Sequence, residues 1–125
     1  MKILVVDDSV LDRKLLIRIL MKAEIKQEIL QAQDGEEALE FLANSYQDIG
    51  LVLLDWQMPR MSGIELMAGM AKIPVLASIP IIMVTASGSD ANKALAREIN
   101  PHLAGYITKP YKPEELLEVI KPHLK

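Results

Sequence analysis

The chain has 125 residues, of which 50% are hydrophobic and 25% charged, and its formal net charge is −3. This length and composition are typical of one globular domain, predicted here to span residues 1–125. The acidic balance argues against a dedicated nucleic-acid surface, because phosphate binding needs a basic face. The lack of cysteine excludes disulfides, thiolate metal sites and cysteine nucleophiles.

The chain opens with an apolar run, Ile3–Val6, which predicts a strand. Two aspartates end this run, so it is too short to be a secretory signal. Ser9 is predicted to cap a helix that ends near Lys22. One apolar stripe is expected along that helix, formed by Leu11, Leu15, Leu16, Ile19 and Leu20.

The middle of the chain alternates in the same way. Glu28–Gln31 predicts a second strand, followed by a helix that Asp34 can cap. Leu51–Leu54 predicts a third strand, and Ser62 with Glu65 forms a capping box for the helix after it.

The last third of the chain repeats the pattern twice. The predicted elements are a strand at Ile81–Val84, a helix from Ser89 or Asp90 to about Ile99, a strand at Gly105–Thr108 and a helix that Pro113 opens. The apolar stretch from Ile73 to Ala86 begins before the fourth strand and includes it. It is shorter than a membrane span and contains two prolines, so no membrane insertion is expected.

Five strand–helix units result from this reading. Such alternation predicts an α/β domain in which a parallel sheet carries helices on both faces. The first, third and fourth strands are unbroken apolar runs, as expected for strands buried on both faces. The periodicity alone leaves the order of the strands open.

Polar side chains follow the strands. Asp7 and Asp8 follow the first, Asp55 follows the third, Thr85 follows the fourth, and Lys109 follows the last. The carboxyl ends of parallel strands meet at one edge of a sheet, where α/β proteins bind ligands. We therefore expect three carboxylates, one hydroxyl and one ammonium to form a single cluster.

Carboxylates placed together repel one another unless a cation lies between them. Mg²⁺ suits a site of hard oxygen ligands that supplies few protein groups. A phosphoryl group could pair with that ion, with Lys109 and with Thr85, and one carboxylate would be left as the nucleophile. Taken singly, Asp7, Asp8 and Thr85 are more often helix caps and Lys109 a solvated charge, and Asp55 could equally be a turn residue. Their common position favours the joint site.

Five sequence motifs support the same interpretation. They are V-V-D-D-S at 5–9, A-x-D-G-x-E-A-L at 32–39, L-L-D-W-Q-M-P-x-M-S-G at 53–63, V-T-A at 84–86 and Y-I-T-K-P at 106–110. With these motifs in this order, the chain resembles the receiver domains of two-component response regulators over essentially its whole length. Trp56 and the last motif are most similar to the stand-alone chemotaxis regulators.

The resemblance implies a flavodoxin-like fold, a doubly wound (βα)5 sandwich. Its five-stranded parallel sheet would have the order 2-1-3-4-5, with helices on both faces. It also implies that the peptide bond between Lys109 and Pro110 is cis.

The resemblance assigns the metal and phosphoryl roles. Asp55 would be the phospho-acceptor. Asp8 and Asp55 would bind Mg²⁺ or Mn²⁺ through their side chains, Gln57 through its backbone carbonyl, and Asp7 through a water molecule. Lys109 would pair with the phosphoryl group.

Thr85 and Tyr106 would form the switch pair. The Thr85 hydroxyl would move toward the phosphoryl group and the Tyr106 ring would turn inward behind it. This change would alter the last strands and the fourth and fifth predicted helices, where a downstream protein would bind.

The implied partners are a sensor histidine kinase or phosphotransfer protein and a downstream protein target. The domain would catalyse only its own phosphorylation and dephosphorylation, in the cytoplasm, as a monomer or a phosphorylation-dependent dimer without DNA binding. One departure lies before Tyr106, where the segment I-N-P-H-L-A-G replaces a short turn and lengthens the chain by a couple of residues. This departure leaves the identity of the partner open.

Three other functions have sequence features that count against them. An Asp-nucleophile phosphatase needs D-x-D, whereas Asp55 is followed by Trp56 and Gln57. A flavin-binding module needs a hydroxyl-rich phosphate loop where Asp7 and Asp8 lie. A degenerate receiver that only binds partners would not need a complete pocket.

Overall fold

The computed structural model describes residues 1–124, and it contains one five-stranded sheet. The strands are β1 (Lys2–Val6), β2 (Glu28–Ala32), β3 (Ile49–Leu54), β4 (Ile81–Thr85) and β5 (Gly105–Thr108). All neighbouring strands pair in parallel, in the order β2-β1-β3-β4-β5. The expected α/β fold and strand order are confirmed.

Helices connect the strands and cover both faces of the sheet. They are α1 (Val10–Lys22), α2 (Gly35–Ser45), α3 (Gly63–Ala71), α4 (Pro74–Ala77), α5 (Asp90–Ile99) and α6 (Pro113–Ile120), and a 3₁₀ turn follows at Lys121–His123. Within residues 1–124, no helix has the length and apolar character required to cross a lipid bilayer.

Two apolar cores form because successive side chains of a strand point to opposite faces. On one face, Leu4 and Val52 pack with side chains of α2, α3 and α5, including Leu42 and Met67. On the other, Ile3 and Leu51 pack with α1 and α6; their buried partners include Leu16, Ile19, Leu20, Leu116 and Ile120. The central strands β1, β3 and β4 are therefore buried on both sides, as their unbroken apolar runs predict.

The helix starts follow the predicted caps. The side chains of Ser9, Asp34 and Ser62 accept hydrogen bonds from the backbone N–H groups three residues on, and Ser62 with Glu65 completes a capping box. Pro113 is the first residue of α6. These caps place the first turns of α1 and α3 beside the ends of β1 and β3.

The single turn α4 was not expected. Pro74 occupies its first position and Leu76 is buried beneath it, so local burial stabilises a turn in a segment for which no helix was predicted. As a result, the fourth and fifth predicted helices are α5 and α6 in the structure.

The predicted stripe on α1 was too wide. Leu16, Ile19 and Leu20 are buried, but Leu11 is 76% exposed and Leu15 is 51% exposed. An α-helix turns by about 100° per residue, which places Leu11 about 140° from Leu16 around the helix axis. The sheet covers only one side of α1, and Leu11 faces away from it.

The start of α3 has no room for a side chain at Gly63. Its backbone N–H donates to the carbonyl of Trp56 at 2.8 Å. A Cβ atom built on Gly63 would lie 1.9 Å from the backbone oxygen of Asp55. The close approach of α3 to the end of β3 therefore requires glycine here.

We predict opposite effects for two Gly→Ala substitutions in α3. Gly63→Ala should lower the free energy of unfolding by at least about 2 kcal/mol, because the clash is with backbone atoms. Gly69→Ala should raise it by about 0.5–1 kcal/mol, because a Cβ there meets nothing within 4 Å and alanine favours a helix. Urea unfolding of both variants checks this, and equal stability of the two would contradict the packing described.

Candidate functional site

Three carboxylates meet where β1 and β3 end. Asp7 and Asp8 follow β1 and Asp55 follows β3, and one oxygen from each lies within 4.8 Å of the others. Asp7 is 7% exposed and Asp55 9%, whereas Asp8 is exposed. Because β1 and β3 are adjacent but the chain first leaves β1 toward β2, this is the switch point of the sheet, where a crevice opens.

Backbone hydrogen bonds hold the two buried carboxylates. An oxygen of Asp7 accepts from the N–H of Ser9 at 2.9 Å, and Oδ1 of Asp55 accepts from the N–H of Trp56 at 2.7 Å. The backbone N–H of Asp55 donates to the carbonyl of Val6 at 2.9 Å. Backbone groups at the ends of β1 and β3 therefore fix the positions of these two carboxylates.

The ammonium group of Lys109 lies among these acids. Its Nζ is 2.7 Å from Oδ2 of Asp7, 2.8 Å from Oδ2 of Asp12 and 3.4 Å from Oδ2 of Asp55. Partial burial alone would lower the pKa of Lys109, but the hydrogen bonds to Asp12 and Asp7 and the charge of Asp55 outweigh it and raise that pKa. Lys109 is therefore a fixed positive charge.

The pKa of Asp7 is shifted in the direction that burial dictates. Burial raises it, and the charge of Asp55 adds to the rise, while the hydrogen bonds from Lys109 and from the Ser9 N–H oppose it. The net shift is upward. A positive charge in the crevice thus stabilises the ionised form of Asp7.

Sequence reasoning missed Asp12. It lies in the first turn of α1, three residues after the cap Ser9, and side chains of a helix lean toward its N-terminal end, here at the same edge of the sheet. An acid in the first turn of a helix that begins at this edge of the sheet was a usable signal. It was hidden because an acid in the first turn of a helix is common for electrostatic reasons alone.

Thr85 and Lys109 lie at the ends of β4 and β5, at the same edge of the sheet as the acids. Together with Gln57 and Ser87 they line an open cup of about 530 Å³ that also reaches Asp55. The Thr85 hydroxyl oxygen accepts from the N–H of Ser87 at 3.2 Å, which leaves its own proton free to donate. The N–H of Lys109 donates to the Thr85 carbonyl at 2.8 Å, joining the ends of β4 and β5.

Tyr106 on β5 is linked to the same loop. Its hydroxyl donates to the backbone carbonyl of Ser87, and its ring is partly buried against the α3 and α5 side of the core. The Lys93 ammonium lies 5.8 Å from the ring centroid. Burial, and secondarily the charge of Asp55, raise the pKa of Tyr106, so its hydroxyl is a donor.

The loop that carries Gln57 is tied to the start of α2. Asp34, which is almost fully buried, forms an ion pair with Arg60 at 2.9 Å. The N–H of Gly35 donates to the carbonyl of Met61 at 3.0 Å. On the other side of the cup, the peptide bond between Lys109 and Pro110 is cis, the form that the resemblance implies.

The donor set fits a hard divalent cation. The clustered oxygens of Asp7, Asp8 and Asp55 are carboxylate oxygens, and the chain has no cysteine to supply a thiolate ligand. Oxygen-only sets with few protein ligands suit Mg²⁺ or Mn²⁺. The structure thus brings Asp7, Asp8, Asp55, Gln57, Thr85 and Lys109 together at one edge of the sheet and adds Asp12 to them. Tyr106 lies within β5 and is linked to this edge through the Ser87 carbonyl.

The family model described as "Response regulator receiver domain" matches residues 3–121. The chain belongs to the receiver domain family of response regulators. The family match agrees with the strand order and with the position of the acids in the sheet.

Similar proteins include regulators of two kinds. This receiver domain is 34% identical to a chemotaxis protein CheY homolog of Campylobacter jejuni, over 97% of this chain and 90% of that protein. It is 37% identical to the phosphate regulon transcriptional regulatory protein PhoB of Pseudomonas aeruginosa, over 98% of this chain but 51% of that protein. The chain therefore spans about half the length of this second relative.

A solved structure shows the same fold. Chemotaxis protein CheY4 of Vibrio cholerae superposes with a TM-score of 0.84 at 29% identity, covering 98% of each chain. These similarities support a chemotaxis-like receiver domain that acts as a signalling switch.

We predict that Lys109→Met destabilises this receiver domain when divalent ions are absent. Asp7 and Asp55 would lose their shared cation, which should lower the free energy of unfolding by about 1–3 kcal/mol. Urea unfolding in a chelator at pH 7 measures this. The control is Lys26→Met, which removes an exposed lysine; equal stabilities of the two variants would contradict a stabilising role for Lys109.

Proposed function

We propose that this receiver domain accepts a phosphoryl group on Asp55. The donor would be a phosphohistidine on a sensor histidine kinase or phosphotransfer protein. The observation that carries the proposal is the position of Asp55, a nearly buried carboxylate that lines an open cup, 3.4 Å from the Lys109 ammonium and in the same lining as the buried Thr85. Receiver domains take part in phosphorelays, which supports this assignment.

Mg²⁺, or Mn²⁺ in its place, is the proposed cofactor. Asp8 and Asp55 would bind it through side chains, Gln57 through its backbone carbonyl and Asp7 through a water molecule. The clustering of three carboxylates supports this, since their repulsion is relieved by a doubly charged ion. The bound ion would supply charge neutralisation for the phosphoryl oxygens.

The chain's own residues perform the transfer in this proposal. An oxygen of Asp55 attacks phosphorus while the bond from phosphorus to the donor nitrogen breaks, and an acyl phosphate results. Lys109 and Thr85 pair with phosphoryl oxygens, where negative charge is spread in the transition state. Later attack by water would return the free carboxylate, so the domain would act only on its own modification.

Thr85 and Tyr106 are the proposed switch. The Thr85 hydroxyl would move toward the phosphoryl group to donate its free proton, and this displacement would draw its oxygen away from the N–H of Ser87. The carbonyl of Ser87 is also the acceptor for the Tyr106 hydroxyl. A movement at Ser87 would therefore release Tyr106 and alter the surface formed by β5, α5 and α6.

The whole-protein role is proposed from the same site. Residues 1–125 would form a single receiver domain in the cytoplasm, which binds a downstream protein through α5 and α6 and not DNA. It would act as a monomer or as a phosphorylation-dependent dimer. The similarity to chemotaxis regulators along most of their length supports output by protein contact.

We predict that acetyl phosphate with Mg²⁺ adds one phosphoryl group and that Asp55→Asn abolishes this. Asparagine keeps the shape of the side chain but is a far weaker nucleophile. Intact-protein mass spectrometry gives the result directly.

The matched control is Asp48→Asn, which makes the same change at an exposed aspartate just before β3, at the opposite edge of the sheet. It should be labelled like the unaltered protein. Labelling of Asp55→Asn to the same extent would refute the assignment. Steady release of phosphate from a phosphomonoester would instead favour a phosphatase.

We also predict that Asp8→Ala weakens Mg²⁺ binding at least about tenfold, as expected when one of few protein ligands is lost. Trp56 is the only tryptophan and its backbone N–H donates to Oδ1 of Asp55, so its fluorescence should report the titration. Asp48→Ala serves as the control. Superimposable titrations of Asp8→Ala and the unaltered protein would remove Asp8 from the metal site.

A further inference from the structure

Asp12 holds Lys109 from outside the group of three clustered carboxylates. Its Oδ2 lies 2.8 Å from Nζ of Lys109, whereas Asp55 lies 3.4 Å from the same atom. The Asp12 side chain is 39% exposed, while that of Lys109 is 18% exposed. The lysine is thus drawn toward the wall of the cup, away from the proposed phospho-acceptor.

The hydrogen-bonding capacity of Lys109 is already filled. An ammonium group has three protons and no acceptor. In this structure it has three carboxylate partners: Asp7, Asp12 and Asp55. A phosphoryl group on Asp55 would bring further acceptor oxygens, which would have to compete for those protons.

Asp12 differs from the other two carboxylate partners of Lys109, because it is neither part of the carboxylate cluster nor the proposed site of modification. Asp7 belongs to the carboxylate cluster, and Asp55 is the proposed site of modification. Asp12 projects from the first turn of α1, and its carboxylate contacts Lys109. Its charge also repels an anion that enters the cup, because Asp12 lies on the lining.

We propose that Asp12 is a positioning residue that competes with the phosphoryl group for Lys109 and so weakens phosphoryl binding at Asp55. This inference rests on the proposed function. Asp12 touches neither the phosphoryl group nor the cation in this proposal; it acts through Lys109. Its removal should free one ammonium proton and let Lys109 move toward Asp55.

A simpler role for Asp12 is to stabilise α1. An acid in the first turn interacts favourably with the helix dipole. That role would affect stability but would leave anion binding in the cup unchanged. Measurements of anion affinity therefore separate the two explanations.

The experiment uses beryllofluoride, a stable phosphoryl mimic, with Mg²⁺ at saturation and Trp56 fluorescence as the readout. Asp12→Asn should bind beryllofluoride about fivefold more tightly than the unaltered protein, the effect of losing one partly exposed ion pair. Asp12→Glu keeps the charge and should stay within about twofold of the unaltered protein. Glu40→Gln removes an equal charge from an exposed site on α2 and should change nothing.

A second readout does not depend on phosphorylation. With divalent ions removed, an acylating reagent should modify Lys109 about threefold faster in Asp12→Asn, because one stabilising ion pair of the ammonium is gone. Exposed Lys26 provides the internal standard in peptide mapping. Rates at Lys26 should be equal in all variants.

Each outcome decides one point. If the unaltered protein binds beryllofluoride and Asp12→Asn binds it equally or more weakly, the role of Asp12 is refuted while the proposed function stands. If Asp12→Asn instead weakens Mg²⁺ binding about tenfold, Asp12 acts on the cation and the inference is also refuted. If the unaltered protein neither binds beryllofluoride nor accepts a phosphoryl group, the proposed function fails and this inference fails with it.

Discussion

The ion pairs of Lys109 hold together the edge of the sheet on which any function must depend. Nζ of this residue lies within 3.4 Å of carboxylates that come from the ends of β1 and β3 and from the first turn of α1. Asp7 and Asp55 are nearly buried, and carboxylates placed this close together repel each other unless a positive charge lies between them. The distant end of the chain, through β5, thus neutralises acids contributed by its beginning.

The sheet makes this meeting possible. Its central strands have apolar residues toward both faces, so only the residues beyond their carboxyl ends can be polar without disrupting a core. The reversal between β1 and β3 leaves a crevice at that edge. The hydrogen bond from the Lys109 N–H to the Thr85 carbonyl then fixes how far Lys109 stands from the acids.

Much of this arrangement could be predicted from the sequence, because its causes are local or topological. The unbroken apolar runs predicted β1, β3 and β4, the caps predicted where helices begin, and parallel strands required Asp7, Asp55 and Lys109 to meet. The failures have physical reasons too. Periodicity cannot show how wide a face the sheet covers, so the predicted apolar stripe of α1 included Leu11 and Leu15, which are exposed. The partner of Asp12 depends on a side chain 97 residues away, which no local pattern reveals.

Such long-range charge pairs matter because they connect the cup to the surface. Tyr106 lies in β5 and Lys109 directly follows that strand. A displacement of the Lys109 ammonium would therefore be transmitted to the strand that carries the Tyr106 ring. Tyr106 is held at the other end by the Ser87 carbonyl, beside the Thr85 hydroxyl. Negative charge added at Asp55 would therefore attract both Lys109, after β5, and the Thr85 hydroxyl, next to the loop that holds Tyr106. Under the proposed function, a phosphoryl group on Asp55 would compete with the other carboxylates for Lys109, and Asp12, added to Asp7, makes that competition stronger.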